Sequence, residues 1–102
     1  MSQTIRHKPA AATAAIATFD AVGDVVHELD SIHCSYSAAP AAGNLKVDSP
    51  SGTTIWEVDV PAAGAYEFLF RNGLRGASGA AVIVTLASGG GTVQGILSAT
   101  KV

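Results

Sequence analysis

The residues best suited to metal chemistry are three histidines and one cysteine. His33 and Cys34 are neighbours, and because successive side chains of a strand point to opposite faces, the two cannot bind one ion without distortion. His27 shares the parity of His33, but we expect a bend of the chain between them. The pattern favours a buried thiol at Cys34 and a surface imidazole at His33, and it predicts no metal site and no other cofactor.

Four carboxylates lie close together in the sequence: Asp20, Asp24, Glu28 and Asp30. They lack the dense D-x-D-x-D spacing of a calcium loop, and carboxylates on the strands of a small β domain are usually solvated. The sequence has no G-x-S-x-G nucleophile elbow, and no helix or lysine of a phosphate-binding loop follows Gly89-Gly90-Gly91. We therefore predict that the protein has no catalytic residues and is not an enzyme.

Aromatic side chains offer a second kind of chemistry, the stacking of sugar rings. Four of them are clustered in the sequence: Trp56, Tyr66, Phe68 and Phe70. Trp56 alternates in phase with Val58, and an aromatic residue in phase with β-branched neighbours more often faces the core than the solvent. We favour a core position for Trp56, and a carbohydrate-binding module stays open as the alternative.

The stretch that holds these aromatic residues, Asn44 to Arg71, predicts three short strands with one apolar face each. Ser49-Pro50-Ser51-Gly52 and Pro61-Ala62-Ala63-Gly64 separate the strands, and both are typical turn sequences because proline fixes φ and glycine accepts a positive φ. The simplest arrangement of such strands is a β-meander.

The rest of the chain also indicates strands. Alternation or β-branched composition predicts them at Thr13–Phe19, Val25–Ser37, Ala81–Ala87 and Thr92–Val102. The apolar face of the second changes sides near Asp30, which predicts a bulge or bend. We expect a loop at Asn72–Gly79 and a hairpin turn at Ser88–Gly91, since both are rich in glycine.

These elements predict an all-β fold: a small antiparallel β-sandwich or a jelly-roll-like barrel of about seven or eight strands. The predicted core is apolar and inward-facing, and it comprises Trp56, Val58, Phe68, Phe70, Val82, Val84 and Leu86. A chain of 102 residues suffices for one such domain, which we place at residues 13–102. Residues 1–12 show no apolar periodicity and predict an extended N-terminal arm, which is either disordered or ordered only against a neighbouring subunit.

Composition excludes several classes of partner. Charged residues make up 14% of the chain, the net charge is −2 and no cluster of Lys and Arg is present, so a nucleic-acid footprint is not expected. No stretch approaches the length of a membrane span, and the alanine-rich N-terminal part lacks a strong apolar segment, so we predict no targeting sequence. The single cysteine fits production in a reducing cytoplasm.

Residues 31–100 resemble a group of small proteins encoded among the structural genes of tailed bacteriophages and prophages. Four segments carry the resemblance: SIHCSYSAAPAAGNLKV, SGTTIWEVDVPAAG, FLFRNGLRG and AAVIVTLASGGGTVQGILS. The resemblance implies a β-sandwich virion component of the capsid decoration or cement type, made in the host cytoplasm and located in the virion. It does not extend to residues 1–12.

A virion component of this type implies the major capsid protein or another virion protein as partner, together with a homo-oligomer, for example a trimer. The contacts would fall on the arm and on loops of small residues, for which the candidates are Ile5, Arg6, Pro9, Ala39, Ala41, Leu74 and Arg75. The alternative function is a carbohydrate-binding or host-recognition module, including a tail-associated one.

Overall fold

A computed structural model describes residues 2–102 and contains eight strands and no helix in this range. The strands are β1 (Gln3–His7), β2 (Ala15–Phe19), β3 (Glu28–Tyr36), β4 (Asn44–Asp48), β5 (Thr54–Asp59), β6 (Gly64–Arg75), β7 (Val82–Leu86) and β8 (Gly95–Lys101). Side chains along β2 and β7 alternate between fully buried and more exposed positions, as expected for strands that cover a core with one face.

The strands form two sheets of four. Sheet A has the order β1-β8-β3-β6, sheet B has the order β2-β7-β4-β5, and every pairing within them is antiparallel. Apart from β4 and β5, strands that follow one another in the sequence belong to different sheets, so the chain wraps around both. This is the strand order of a jelly roll, and it confirms the predicted all-β sandwich.

The predicted meander is wrong in its second half. β4 and β5 form a hairpin closed at Ser49–Thr53, whereas the chain after β5 crosses to sheet A, where β6 pairs with β3. The predicted hairpin turn at Ser88–Gly91 is wrong for the same reason, because β7 and β8 lie in different sheets. Alternating apolar residues indicate which face of a strand is buried, but they do not indicate its partner.

β6 continues through the first half of the segment Asn72–Gly79, which was predicted to be a loop. Its residues Leu74 and Arg75 pair with Leu29 and Glu28 of β3. The register between the two strands shifts between Leu29 and Ser31, and this shift confirms the bulge predicted near Asp30. At this shift β6 has more residues than β3. Gly73 is one of the extra residues, and its φ of 76° is a value that glycine adopts without strain.

The core lies between the sheets. Its fully or almost fully buried apolar residues are Ala15, Ala17, Phe19, Leu29, Ile32, Cys34, Tyr36, Leu45, Val47, Val60, Val82, Val84, Leu86, Val93, Leu97 and Ala99. The three predicted core residues of β7 are among them. The four predicted on β5 and β6 face inward but are only half-buried, because those strands lie at the edges of their sheets: Trp56, Val58, Phe68 and Phe70.

The structure also differs from the predicted arm. Residues 3–7 form the edge strand β1, which pairs with β8 of the same chain, and Ile5 packs against the core. The backbone N–H of Ile16 donates a hydrogen bond of 2.9 Å to His7 Nδ1, which joins β1 to β2. A single apolar side chain is therefore enough to hold β1 in place, since the backbone of β1 is hydrogen-bonded to β8.

Candidate functional site

The structure places the candidate assembly residues at three separate locations. Ile5 and Arg6 lie on β1, and Leu74 and Arg75 lie at the far end of β6. Pro9, Ala39 and Ala41 lie in loops at the end of the sandwich where β1, β3 and β5 end. These last three residues are thus brought together, whereas the other four lie on other surfaces.

The end that contains Pro9, Ala39 and Ala41 is built from four loops, which we call the small-residue end: residues 8–14, 37–43, 60–63 and 87–94. Backbone hydrogen bonds of 2.9–3.1 Å connect the loops, and they run from Ala12 N to Val93 O, Ser37 N to Gln94 O, Ala41 N to Gly89 O and Val60 N to Gly43 O. Alanine, proline and glycine dominate its surface. Because the loops are joined to each other, their backbone is ordered before any partner binds.

A shallow hollow of about 440 Å³ opens at this end. It is lined by Pro40, Ala41, Ala42, Gly43, Asn44, Asp59 and Pro61. Gly43 is tightly packed, since a Cβ added there would lie 2.0 Å from the carbonyl oxygen of Val60. The close approach of two backbones therefore requires glycine at this position.

The second candidate surface is the side of the sandwich formed by the edge strands β5 and β6, which we call the open edge. Three rings fill the space between the sheets here: the Trp56 centroid lies 5.3 Å from that of Phe68 and 5.2 Å from that of Phe70, both with T-shaped geometry. Leu69, on the outer side of β6, is 68% exposed. Because the rings pack edge-on against one another, they do not form the flat platform that sugar stacking needs.

The third surface is a groove of about 320 Å³ on the outer face of sheet A, which we call the sheet-A groove. Arg6 lies at its β1 side, and small or apolar side chains such as Ser35, Ala65 and Ile96 line it. His33 Nε2 lies 2.5 Å from Glu67 Oε2 at the other side, with about half of each side chain exposed (51% and 55%). Such an exposed pair contributes little to stability.

The His33–Glu67 pair and the burial of His27 were not predicted. The first depends on the pairing of β3 with β6, which places residue 33 opposite residue 67, and no local pattern encodes this. His27 is 4% exposed, and its Nε2–H donates a hydrogen bond of 2.7 Å to the carbonyl oxygen of Asp20. This imidazole fixes the β2–β3 loop against Phe19, 6.1 Å away between ring centroids.

The histidines, the cysteine and the acidic residues are dispersed. Cys34 points into the core and His33 points outward, as predicted from their adjacent positions. Within residues 2–102 no group of three or more His, Cys, Asp or Glu side chains is arranged to hold a metal ion. Glu28 is engaged by Arg75 through a hydrogen bond of 2.9 Å. In the same range no helix is long and apolar enough to span a membrane.

The buried thiol leads to a first testable prediction. Burial raises the pKa of Cys34 from 9.0 to about 11, so the thiol remains protonated at neutral pH. We expect a disulfide reagent at pH 8 to react with Cys34 much more slowly in the native protein than in urea. Between pH 9.0 and about 11 the unfolded chain loses this proton first, so Cys34 should make stability fall as pH rises.

The Cys34→Ala variant is the control for the pH dependence. Its stability should decline less steeply than that of the wild type above pH 9.0 in urea titrations at a series of pH values. Equal slopes, or a native thiol that reacts as fast as the unfolded one, would contradict the burial of Cys34.

Comparisons with known proteins give similarities of fold. No protein-family model and no curated protein matches the sequence. A crystal structure of PirA aligns with a TM-score of 0.49 and 11% identity, covering 99% of this chain and 93% of that one. The family 32 carbohydrate-binding module of C. perfringens NanJ, solved with galactose, aligns with a TM-score of 0.48 and 10% identity, covering 98% and 92%.

A Bacillus endospore appendage protein, from a family described as disulfide-linked pili, aligns with a TM-score of 0.46 and 17% identity, covering 99% of this chain and 83% of that one. At these identities and TM-scores the functions of the three proteins do not carry over to this chain. Because no family model and no curated protein matches the chain, the resemblance to virion proteins stays a hypothesis.

Proposed function

We propose that the protein is a non-enzymatic structural component of a virion, which binds the assembled shell through its small-residue end. The observation that carries this proposal is the convergence of four loops of small residues, joined by backbone hydrogen bonds, at one end of the sandwich. The resemblance of residues 31–100 to phage structural proteins supports the virion as the setting. The partner is then the major capsid protein or another virion protein.

The physical properties of the small-residue end suit a contact of this kind. Alanine, glycine and proline lose almost no side-chain entropy when they are buried, and they let the backbones of two proteins come close together. The loops also contain few charges, and this lowers the cost of removing water from them. Because the protein would bind only the assembled shell, mass action would stabilise the shell without catalysis.

Arginine substitutions at the small-residue end test the proposal. The variant Ala39→Arg/Ala41→Arg places two charges in the contact, and we expect its affinity for particles that lack the protein to fall by about tenfold, ~1.4 kcal/mol per copy. Occupancy is measured by quantitative mass spectrometry of purified particles after incubation with each variant. Particles carrying the variant should also lose their contents at a lower temperature than particles carrying the wild type.

Ala21→Arg is the matched control, since Ala21 is exposed in the β2–β3 loop at the opposite end of the sandwich. It should bind as the wild type does. The proposal fails if the wild-type protein is absent from purified particles, or if the control and the double variant lose occupancy equally.

A carbohydrate-binding or host-recognition module is the second candidate, and the sheet-A groove is the observation that favours it. Arg6 and the His33–Glu67 pair offer hydrogen-bond donors and acceptors beside the apolar side chain of Ile96. Calorimetric titration with a panel of oligosaccharides distinguishes the candidates. Saturable binding that is lost in Arg6→Ala would favour the sugar site.

A further inference from the structure

The two sides of the sandwich are closed in different ways. On the side of β1 and β2 the sheets approach each other closely, and the hydrogen bond from Ile16 N to His7 Nδ1 joins them. On the opposite side β5 and β6 stay further apart, and the half-buried rings of Trp56, Phe68 and Phe70 fill the gap. This open edge therefore keeps apolar surface in contact with water, to which Leu69 adds a largely exposed side chain.

Charge is also divided between the two sides. Residues 47–70, which run from the end of β4 through β5 into β6, contain four carboxylates and neither Lys nor Arg, and Arg71 follows them on β6. Two of these carboxylates form ion pairs, since Asp48 contacts Lys46 at 3.6 Å and Glu67 pairs with His33. Glu57 and Asp59 form no ion pair within residues 2–102, and both are exposed on β5.

The opposite sign prevails on the side of β1. The first 19 residues contain Arg6 and Lys8 and no carboxylate. Arg6 forms no ion pair with any residue in the described range, and it lies at the rim of the sheet-A groove. Small side chains such as Ser35 and Ala65 line this groove and leave room for a strand edge from another molecule.

We propose that the open edge of one copy of this chain docks into the sheet-A groove of a second copy, with Glu57 and Asp59 of β5 against Arg6. The docked edge would bury the rings and Leu69, so removal of apolar surface from water provides the affinity and the charges select the register. This inference goes beyond the proposed function, which concerns binding to the shell through a different surface, the small-residue end.

The two surfaces adjoin along β6, which contributes Leu69 to the open edge and Ala65 and Glu67 to the sheet-A groove, but they are different patches, so each copy offers one of each kind. Contacts of this heterologous type join copies head to tail, and they produce a closed ring where the rotation between neighbours permits it. The same contact would cover β5 and β6, whose unpaired backbone groups are otherwise open to uncontrolled strand addition.

A charge exchange tests the pairing. Arg6→Glu and the double change Glu57→Arg/Asp59→Arg each place like charges in the contact, so each should weaken self-association by about tenfold or more. Combining all three changes restores opposite charges and should return the affinity to near the wild-type value. Sedimentation velocity over a concentration series measures the association of each variant, and circular dichroism shows whether it is folded.

Matched controls carry the same changes of charge elsewhere. Asp24→Arg, in the exposed β2–β3 loop, and Lys101→Glu, at the far end of β8, should associate as the wild type does. Leu69→Ser removes only an exposed apolar side chain and should weaken association without unfolding the protein.

Three results would overturn the inference. The first is a wild-type protein that stays monomeric at every concentration. The second is an oligomer that each charge exchange weakens but whose affinity the combined variant does not restore. The third is a monomer that binds an oligosaccharide through Arg6. A monomer that still binds particles through its small-residue end would refute the self-association and leave the proposed function intact.

Discussion

Replacing Leu97 with alanine should cost about 2–5 kcal/mol of unfolding free energy. Leu97 is fully buried on β8, the strand between β1 and β3, and its side chain packs in the core between the sheets. The substitution leaves a cavity that a rigid sandwich cannot fill by collapse. Since a domain of this size has a stability of about 5–15 kcal/mol, urea titration should show a large fall in the midpoint at an unchanged slope.

Phe68→Ala is the informative comparison. Phenylalanine is the larger side chain, but Phe68 is half-buried at the open edge, so part of its surface already faces water. Per unit of side-chain area removed, we expect Phe68→Ala to lower the unfolding free energy less than Leu97→Ala does. If Phe68→Ala cost more unfolding free energy per unit of area removed than Leu97→Ala in a monomeric sample, the position of the core between the sheets would be contradicted.

The second large effect is expected at Gly43. Its added Cβ would lie 2.0 Å from Val60 O and 2.6 Å from Pro40 Cγ, so Gly43→Ala forces the backbone of two loops apart. It would also disturb the 3.1 Å hydrogen bond from Val60 N to Gly43 O. Overpacking of this kind costs about 1–3 kcal/mol or more, and thermal unfolding followed by circular dichroism measures the loss.

Gly95→Ala is the matched control for that substitution. Neither glycine has a positive φ, but a Cβ at Gly95 would approach nothing closer than Leu86 Cδ2, at 3.2 Å. A side-chain methyl group can move by a few tenths of an ångström, whereas a backbone carbonyl in a hydrogen-bonded loop cannot do so cheaply. Comparable losses in the two variants would show that Gly43 is not at a close backbone contact.

The features that could be predicted from the sequence are those with a local cause. The apolar, β-branched run that contains β7 correctly predicted a strand with Val82, Val84 and Leu86 in the core, and the change of face near Asp30 correctly indicated a bulge. Both follow from the period of two that a strand imposes on its side chains. The all-β class was predictable for the same reason.

Strand partners could not be predicted, because they depend on contacts that are distant in the sequence. Phe68 alternates with its neighbours in the same way whether β6 pairs with β5 or with β3. β1 has one inward apolar residue, Ile5, and its place in sheet A follows from the free edge of β8. The candidate surfaces could not be predicted for the same reason. Arg6 and Glu67 line one groove only because two other strands, β8 and β3, join β1 and β6 into the same sheet.

The strand order has a consequence for when the protein can fold. The seventh and eighth strands are central ones: β7 lies between β2 and β4, and β8 lies between β1 and β3. During synthesis, β4 and β5 could pair first, through their short turn, and β3 could pair with β6 before the last two strands emerge. β1 can pair only after β8 has been made, since Gln3 lies opposite Lys101. Most of the pairings likewise join strands that are far apart in the sequence, and such topologies fold on a timescale of about milliseconds to seconds. We therefore expect the ribosome to carry an incompletely folded chain until residues 95–101 have emerged, and a translational pause before that point should expose unpaired strands to aggregation.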